Sequence, residues 1–388
     1  MVTRHSNTID AGAARTGSTA QAATLQKLLE PTGVHLNGKR AWDVRIRDAR
    51  AIDQILRRGS LGAGEAYMRG WWDAQALDEC IRRIVATRLD RRMRSWRSLG
   101  LLLRAWLSNP QRVSHAFDIG EAHYDLGNNL FQAMLDRRLV YSCAYWRNAE
   151  SLDAAQEHKL DLICRKLGLQ PGQRLLDIGC GWGSLCRYAA ENYGVQAVGI
   201  TVSEQQQRLA RTLCAGLPVE IRLQDYRDLD ETFDHVASVG MFEHVGAGNY
   251  DAIFDTVRRS LRPGGLFLLH TIGSNISVRS ADPWIERYIF PRGQLPSLRQ
   301  LAAAAEDKFV IEDLHNFGAD YDRTLMAWFR NFHAAWDELS STYSETFYRM
   351  WKFYLLSCAG AFRARTIQLW QLVLSANGVP GGYRRIAD

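Results

Sequence analysis

From residue 151 onward the chain alternates short, continuous apolar runs with segments of helix length. A helix is predicted over Leu152–Leu167, ending at Gly168 and Pro171. The apolar runs are predicted as strands at 174–178, 197–201, 219–223, 233–239 and 265–270, with two more at 310–317 and 369–375. Strands that stay apolar at successive positions are buried on both faces, as in a parallel sheet covered by helices. The pattern predicts an α/β domain with a mostly parallel seven-stranded sheet.

Two strongly amphipathic helices are predicted between the last two strands. Aromatic and aliphatic residues recur at helical spacing along each of them. One face carries Tyr321, Leu325, Trp328, Phe329, Phe332 and Trp336, and the next carries Phe347, Met350, Trp351, Tyr354, Leu355 and Cys358.

The first 120 residues have a different pattern, typical of a smaller α+β domain. Thr24–Glu30 reads as a short helix, and Asn37-Gly38 is a strong hairpin signal before an alternating run from Trp42 to Ile46. Further helices are predicted over 51–58 and 77–86, and Asn109-Pro110 marks a linker. For this chain of 388 residues we therefore predict a flexible leader at 1–20, a small basic domain at 21–108, a linker at 109–120 and a larger domain at 121–388.

Positive charge is concentrated in the N-terminal part. Residues 1–115 hold 20 Lys and Arg against 10 Asp and Glu, whereas the whole chain has a net charge of only +6. The densest stretch, Arg82 to Arg104, interleaves arginines with Trp and Leu. This composition suits the surface of an anionic bilayer. Nucleic acid is a competing partner, and a solvated basic helix packed on its own domain is a third interpretation.

Other features limit the location and redox state of the protein. The longest apolar stretch, Leu99–Leu107, is broken by Arg104 and is too short to span a bilayer. No apolar segment of signal-peptide length follows the N-terminus, so we expect a cytoplasmic protein, associated peripherally with membranes. The seven cysteines are scattered without a CxxC pair, which argues against disulfides and a zinc site.

The strongest local motif is LLDIGCGWG at 175–183, in which an apolar strand enters a glycine-rich turn that opens a helix. Glycines at 179, 181 and 183 allow the backbone to approach a ligand closely. The turn is shorter than a dinucleotide fingerprint, and Asp177 suits an amino group better than a phosphate. These features favour S-adenosylmethionine over NAD, although a glycine turn without a ligand is an alternative.

The following two strands end in polar residues that suit the rest of such a ligand. Thr201 and Gln206 follow the second strand, where many methyltransferases bind the ribose hydroxyls. Tyr226 and Arg227 follow the third strand, in a position to bracket an adenine. For Gln206 and Arg227, ordinary helix or loop surface is the competing interpretation.

Six segments together resemble the cyclopropane-fatty-acyl-phospholipid synthase family, over roughly residues 50–375. They are YSCAYW at 141–146, LLDIGCGWG at 175–183, GMFEHV at 240–245, LLHTIG at 268–273, HNFGADY at 315–321 and CAGAFR at 358–363. The resemblance implies a Rossmann-like class I methyltransferase domain that uses S-adenosylmethionine. By the same resemblance the cofactor contacts are Tyr141, Ser142, Gly179, Gly181, Thr201, Gln206, Tyr226 and Arg227. The glycine-rich motif adds Asp177 and Gly183 to the predicted cofactor-binding residues.

The resemblance also implies a reaction. The family transfers the methyl group to a cis double bond of a phospholipid acyl chain, and the resulting carbocation loses a proton to close a cyclopropane ring. A bound bicarbonate acts as the base, held by the Glu243, His270 and Tyr321 side chains and by backbone near Cys143 and Ile272. The family has also been associated with an active-site cysteine, Cys358, but its apolar helical position indicates an inert thiol. A homodimer without nucleic acid is expected.

The carbocation in this reaction predicts aromatic residues around the reacting carbon. Aromatic faces stabilise a cation without attacking it, and Tyr141, Tyr145, Trp146, Phe242 and Trp284 are candidates, together with the two late helices. Three alternatives remain at this point. They are methylation of the double bond without ring closure, a nucleic-acid methyltransferase, and a non-catalytic membrane scaffold.

Overall fold

The computed structural model describes residues 10–87, 127–278 and 280–386, with side chains from Thr19 onward. The basic stretch beyond Thr87 and the predicted linker at 109–120 lie outside the described residues. In the N-terminal part the elements are α1 (Asp10–Leu29), β1 (Arg45–Ile46), α2 (Arg50–Met68), β2 (Trp72–Asp73) and α3 (Leu77–Ala86).

The larger part begins with α4 (Asn128–Met134) and α5 (Leu152–Leu167). It continues with β3 (Arg174–Ile178), α6 (Ser184–Tyr193), β4 (Gln196–Thr201), α7 (Glu204–Leu213), β5 (Val219–Leu223), β6 (Phe233–Val239), α8 (Tyr250–Ser260) and β7 (Leu261–Ser274). The last elements are α9 (Pro283–Tyr288), α10 (Leu298–Ala305), β8 (Val310–Asn316), α11 (Ala319–Ala334), α12 (Trp336–Leu339), α13 (Glu345–Arg363) and β9 (Ile367–Ser375).

Strands β3 to β9 form one sheet in the order β5-β4-β3-β6-β7-β9-β8. The pairs from β5 to β7 are parallel, whereas β9 is antiparallel to both β7 and β8. All seven predicted strands are therefore present, and the predicted α/β class with a mostly parallel sheet is confirmed. The main difference is β7, which is 14 residues long because it pairs with β9 as far as Ser274.

The carboxyl ends of β3 and β6 lie next to each other and to the end of β4 at one edge of the sheet. Ligands of open α/β sheets bind at this edge, where the strand order reverses. Residues that follow these strands are therefore brought together from distant parts of the sequence.

The N-terminal part differs more from its prediction. Helix α1 begins at Asp10, inside the predicted leader and well before Thr24. The predicted hairpin is a tight loop in which Asn37 N donates to Val44 O at 2.6 Å, and β1 pairs with β2 instead. Helix α2 continues to Met68, past a break at Gly59 where φ is 57°.

Helices α2 and α3 pack directly on α13, the second of the late amphipathic helices. A Cβ on Gly360 would lie 2.5 Å from the Asp78 carbonyl oxygen, so the α3 and α13 backbones are in close contact. Arg363 bridges Asp78 at 2.7 Å and Asp322 at 2.8 Å. A single apolar core runs from Leu25 to Leu369 through both parts of the chain. The N-terminal part thus shares its core with the helices that follow β8.

Within the described ranges, no helix combines the length and apolar character that a bilayer span requires.

Candidate functional site

A cavity of about 170 Å³ lies at the carboxyl ends of β3, β4 and β6. Nine of the ten residues predicted to bind a cofactor line it: Tyr141, Ser142, Asp177, Gly179, Gly181, Thr201, Gln206, Tyr226 and Arg227. The tenth, Gly183, does not line the cavity. Gly183 precedes α6, where an added Cβ would lie 2.9 Å from Cys214 Sγ, so its role in the structure is close packing.

The turn after β3 requires glycine for two separate reasons. Gly179 has a φ of 80°, and an added Cβ would lie 2.6 Å from the Met241 side chain. Gly181 has a φ of 54° but faces open space. Because both are in the left-handed region, any side chain there is strained. At Gly179 and Gly181 the cavity is therefore lined by backbone atoms alone.

Asp177 and Lys159 form the polar wall of the cavity. Burial raises the pKa of Asp177 to about 7, an effect that Lys159 opposes. Among the described residues, Asp177 Oδ1 has no hydrogen-bond partner although it is buried. Lys159 donates to Ser142 Oγ at 2.9 Å, and burial lowers its pKa to about 8. Sequence reasoning missed Lys159, whose only signal is a lysine on the buried face of α5.

At the ends of β4 and β5, hydrogen bonds between residues close in sequence hold the side chains that line the cavity. Thr201 Oγ1 donates to Gln206 Oε1 at 3.0 Å, which ties the end of β4 to α7. Asp225 accepts from the Arg227 backbone N–H and guanidinium, both at 2.9 Å. The Arg227 guanidinium lies over the Tyr226 ring at 4.9 Å. These residues present hydroxyl, amide and aromatic surfaces, which suit a nucleoside.

Glu243 lies just beyond β6 and is buried. Its Oε1 accepts from the Ile272 N–H at 2.6 Å. Its Oε2 is buried without a hydrogen-bond partner in the described part of the chain. Burial raises the pKa of Glu243 to about 7, and the bond from Ile272 opposes this shift. The Ile272 N–H is therefore already occupied by Glu243, which differs from the expectation that backbone near Ile272 holds an anion.

His270 lies on the neighbouring strand β7. Gln371 on β9 donates to its Nδ1 at 3.1 Å. The other ring nitrogen, Nε2, is buried and without a partner as far as the structure describes the chain. Burial lowers the pKa of His270 well below its usual value, and the positive charges of Lys159 and Lys166 lower it further. His270 is consequently a neutral imidazole with one free nitrogen.

Tyr321 on α11 completes this second cluster. Its ring stacks on Phe362 at a centroid distance of 4.4 Å. Burial raises the pKa of Tyr321, and negative charge on Cys143 or Glu243 raises it further. Tyr321, Cys143 and Glu243 are thus neighbours inside the protein, whereas the sequence separates them by up to 178 positions.

The two predicted cysteines are both thiols rather than thiolates. Burial raises the pKa of Cys143 and also that of Cys358, to about 12. Cys143 Sγ donates to the Ala144 carbonyl oxygen at 3.3 Å. The structure therefore supports the interpretation that neither side chain is an activated nucleophile.

An aromatic cluster connects the cavity with Tyr321. The Tyr141 and Tyr354 hydroxyls share a hydrogen bond of 3.0 Å. The Trp328 ring lies 5.2 Å from Tyr141 and 6.0 Å from Tyr321. The cluster, Tyr141, Trp328, Tyr321, Phe362, Tyr354 and Trp351, combines one residue before β3 with the two late helices.

Four other aromatic residues that were expected in this lining lie elsewhere. Phe242 stacks on Tyr250 at 4.5 Å within the core between the sheet and α8. Trp284 fills the space above Gly64. Tyr145 packs on Phe317, and Trp146 donates to Thr324. The contacts of these four side chains therefore differ from those of the aromatic cluster.

His244 is a further residue that sequence reasoning missed. It lines the cavity, its Nδ1 is buried without a partner among the described residues, and burial lowers its pKa to about 4. Its position directly after Glu243 was the only available signal.

Comparison with known proteins identifies the family. The model of the mycolic acid cyclopropane synthetase family matches residues 111–372. The chain is 52% identical over 359 residues to the cyclopropane-fatty-acyl-phospholipid synthase of Escherichia coli strain K12, covering 92% of this chain and 94% of that one.

Solved structures give the same result for the larger part of the chain. The cyclopropane synthase MmaA2 from Mycobacterium tuberculosis superposes with a TM-score of 0.63 at 33% identity, covering 66% of this chain and 97% of that one. The mycolic acid cyclopropane synthase CmaA1, solved with SAH and CTAB, gives 0.62 at 34% identity with coverage of 66% and 97%.

The seven-stranded sheet and the cavity at its carboxyl edge define a class I methyltransferase that uses S-adenosylmethionine. Within that class, the chain belongs to the mycolic acid cyclopropane synthetase family.

Proposed function

We propose that the protein transfers a methylene group from S-adenosylmethionine to the cis double bond of unsaturated acyl chains in membrane phospholipids, forming a cyclopropane ring. The observation that carries this proposal is a pair of buried polar atoms without a hydrogen-bond partner in the described residues, Glu243 Oε2 and His270 Nε2. Glu243 lies near Tyr321, which belongs to the aromatic cluster that reaches the cofactor cavity at Tyr141. The identity of 52% with the Escherichia coli synthase supports the same conclusion.

The cavity residues fit S-adenosylmethionine. Asp177 Oδ1 is a buried acceptor without a partner, suited to the amino group of the cofactor, and Thr201, Gln206 and Tyr226 suit its ribose and adenine. When bound, the cofactor supplies an electrophilic methyl group. The bare backbone at Gly179 and Gly181 leaves space for close approach.

An alkene is a weak nucleophile, so the residues must align it and exclude water. The carbocation that forms on the acyl chain needs surroundings that stabilise positive charge without bonding to it. The rings of Tyr141, Trp328 and Tyr321 provide such surfaces. The high pKa of Tyr321 and of both cysteines keeps these groups protonated and weakly nucleophilic.

Glu243 and His270 fit a small oxyanion such as bicarbonate. An ionised carboxylate would repel an anion, but the raised pKa of Glu243 allows it to retain a proton and donate from Oε2. His270, neutral and with Nε2 free of protein contacts in the described residues, supplies a second contact. When bound, bicarbonate supplies the base that removes the proton during ring closure. Ile272 holds Glu243 in place.

Mass spectrometry of lipids tests the proposed reaction. Vesicles with oleoyl chains are incubated with purified protein and isotopically labelled S-adenosylmethionine. We expect acyl chains that have gained CH₂ and no longer take up hydrogen over a catalyst. Gain of CH₂ with a remaining double bond would instead indicate methylation without ring closure, and unlabelled lipids would contradict the proposal.

The bicarbonate proposal has its own test. Addition of bicarbonate to carbonate-depleted protein is expected to raise the rate of cyclopropane formation. If bicarbonate did not change the rate, it would have no role in the mechanism. The proposed methyl transfer would not be affected by that result.

We also propose that the protein binds the surface of anionic membranes and forms a homodimer. The support for membrane binding is the arginine-rich sequence from Arg82 to Arg104, most of which lies outside the described residues. Charge reversal at Arg91, Arg92 and Arg94 is expected to weaken binding to anionic vesicles and to spare cofactor affinity. Equal binding of the unmodified protein to neutral and anionic vesicles would contradict this role. Sedimentation at micromolar concentration tests the dimer.

A further inference from the structure

Gln371 is a fully buried amide in the apolar middle of β9. In β9 the two preceding residues are Leu369 and Trp370, and the next three are Leu372, Val373 and Leu374. An amide buried without compensating hydrogen bonds is costly. Its carbonyl oxygen has no partner among the described residues, so its NH₂ group makes the contact that gives this residue a function.

The strand register places Gln371 directly between two histidines. It is the pairing partner of His270 on β7 and of His315 on β8. Side chains directly opposite one another in antiparallel strands point to the same face of the sheet. The Gln371 Nε2 atom lies 3.1 Å from His270 Nδ1.

The orientation of the Gln371 amide determines which nitrogen of His270 carries the proton. An amide NH₂ donates only, so the Nδ1 atom that it contacts must be an acceptor without hydrogen. A neutral imidazole then carries its proton on Nε2.

The cost of an unpartnered donor favours this orientation over the reversed one. Turning the amide over would move the NH₂ group to the position of Oε1, where the structure shows no hydrogen bond. An unpartnered carbonyl oxygen is tolerated better than an unpartnered N–H donor. Burial keeps His270 neutral by lowering its pKa, and the positive charges of Lys159 and Lys166 lower the pKa further.

We propose that Gln371 is a positioning residue that holds His270 in its Nε2–H tautomer, so that His270 presents a hydrogen-bond donor to the site. His270 then orients an oxyanion by donation and does not itself accept the proton released during ring closure. The consequence for turnover rests on the proposed function, whereas the tautomer does not.

The tautomer is measured by nitrogen NMR on the full-length protein labelled with ¹⁵N-histidine. The chain has ten histidines, and the His270 signals are assigned by their absence in His270→Asn. Without cofactor or lipid, between pH 6 and 8, we expect a protonated Nε2 and an unprotonated Nδ1. A proton on Nδ1, or on both nitrogens, would overturn the proposal whatever the lipid assay shows.

Two substitutions connect the tautomer with turnover. Gln371→Met keeps the size of the side chain and removes the donor, and Gln371→Glu offers Nδ1 an acceptor instead. We expect Gln371→Glu to move the proton to Nδ1 and to lower kcat by about tenfold or more, with the KM for S-adenosylmethionine nearly unchanged. Gln371→Met is expected to give mixed tautomers and a smaller loss of kcat.

Gln368→Met is the matched control. Gln368 is a buried amide on the same strand, bound to Arg365 and Asn316 and not to His270. Gln368→Met should lose more hydrogen bonds than Gln371→Met, yet leave the His270 signals unaltered and change kcat by no more than about twofold. If Gln371→Met and Gln371→Glu both retained the unmodified tautomer and kcat, the role of Gln371 would be rejected. If neither variant folded, the spectrum of the unmodified protein would decide.

Discussion

The backbone N–H of Ile272 donates to Glu243 Oε1 at 2.6 Å, which joins the loop after β6 to the end of β7. Oε2 is the other oxygen of Glu243 and is buried without a hydrogen-bond partner among the described residues. Since Ile272 is two residues beyond His270 on β7, the same strand end positions both groups proposed to act on the anion.

Glu243→Gln should lower turnover by about tenfold or more, because an amide cannot relay a proton from the anion. Cofactor affinity should remain within about twofold, since Glu243 does not line the cofactor cavity. Titration calorimetry and the lipid assay measure the two quantities. Glu312→Gln is the control, because Glu312 also accepts from a backbone N–H, at Val379, but lies away from the cavity. Unchanged turnover in Glu243→Gln would remove Glu243 from the mechanism.

Glu243 should also make stability depend on pH. Its pKa rises from 4.5 to about 7 on folding, so between these values the folded state binds more protons than the unfolded state. The contribution of this group is fully present below pH 4.5 and is lost as the pH rises through 7. Its upper limit is about 3 kcal/mol. Urea unfolding from pH 5 to 8 should therefore show a steeper loss in the unmodified protein than in Glu243→Gln, and parallel curves would contradict the assigned shift.

Cofactor affinity should rise with pH through the titration of Asp177. Its pKa is about 7 in the free protein, and a bound ammonium group favours the ionised carboxylate. We expect the affinity for S-adenosylmethionine to increase by about tenfold between pH 6 and 8. In Asp177→Asn the affinity should be lower and this increase should be lost. If the affinity still increased with pH in Asp177→Asn, the increase would come from another titrating group, such as Lys159, whose pKa is about 8.

Gly181→Ala and Gly168→Ala separate backbone strain from cofactor binding. Both glycines have positive φ, 54° and 63°, and an added Cβ meets no atom within 4 Å in the described structure. Each substitution should therefore cost about 1 kcal/mol of unfolding free energy. Only Gly181 lines the cavity, so Gly181→Ala alone should weaken cofactor binding. Equal cofactor affinity in the two variants would place the ligand elsewhere.

Arg363→Met should destabilise the contact between α13 and the N-terminal part. Arg363 neutralises Asp78 and Asp322, which would be left half-buried without this partner. We expect a loss of about 2 kcal/mol in urea unfolding. Arg50→Met, which removes an exposed pair with Asp48, should cost much less. A similar cost in both variants would show that Arg363 has no special role.

The sheet was predictable because its signals are local. Each buried strand is a short apolar run, and the glycine turn after β3 lies within nine consecutive residues. Nine of the ten residues predicted to bind a cofactor line the cavity, and most of them lie at or just after strand ends. Gly183 shows the limit of this reasoning. It belongs to the same motif, but it directly precedes α6 and lies next to Cys214 instead of lining the cavity.

The N-terminal part was predicted less well because its elements are stabilised by distant contacts. The residues after Asn37 were expected to pair within a local hairpin, but β1 pairs with β2, 26 residues further along the chain. This part was predicted as a separate small domain, but its packing gives little support for that, because α2 and α3 share one apolar core with α13. The domain boundaries remain predictions.

Sequence by itself determined the fold class, the strands of the seven-stranded sheet, and the motifs that indicate a nucleoside site at the carboxyl edge of the sheet. These properties depend on hydrophobic periodicity and turn chemistry, which act over a few residues. Only the tertiary structure decided that Gln371 contacts His270, that Ile272 holds Glu243, and that Lys159 faces Asp177. Such contacts depend on the strand order and register, because the antiparallel insertion of β9 brings together residues 101 positions apart.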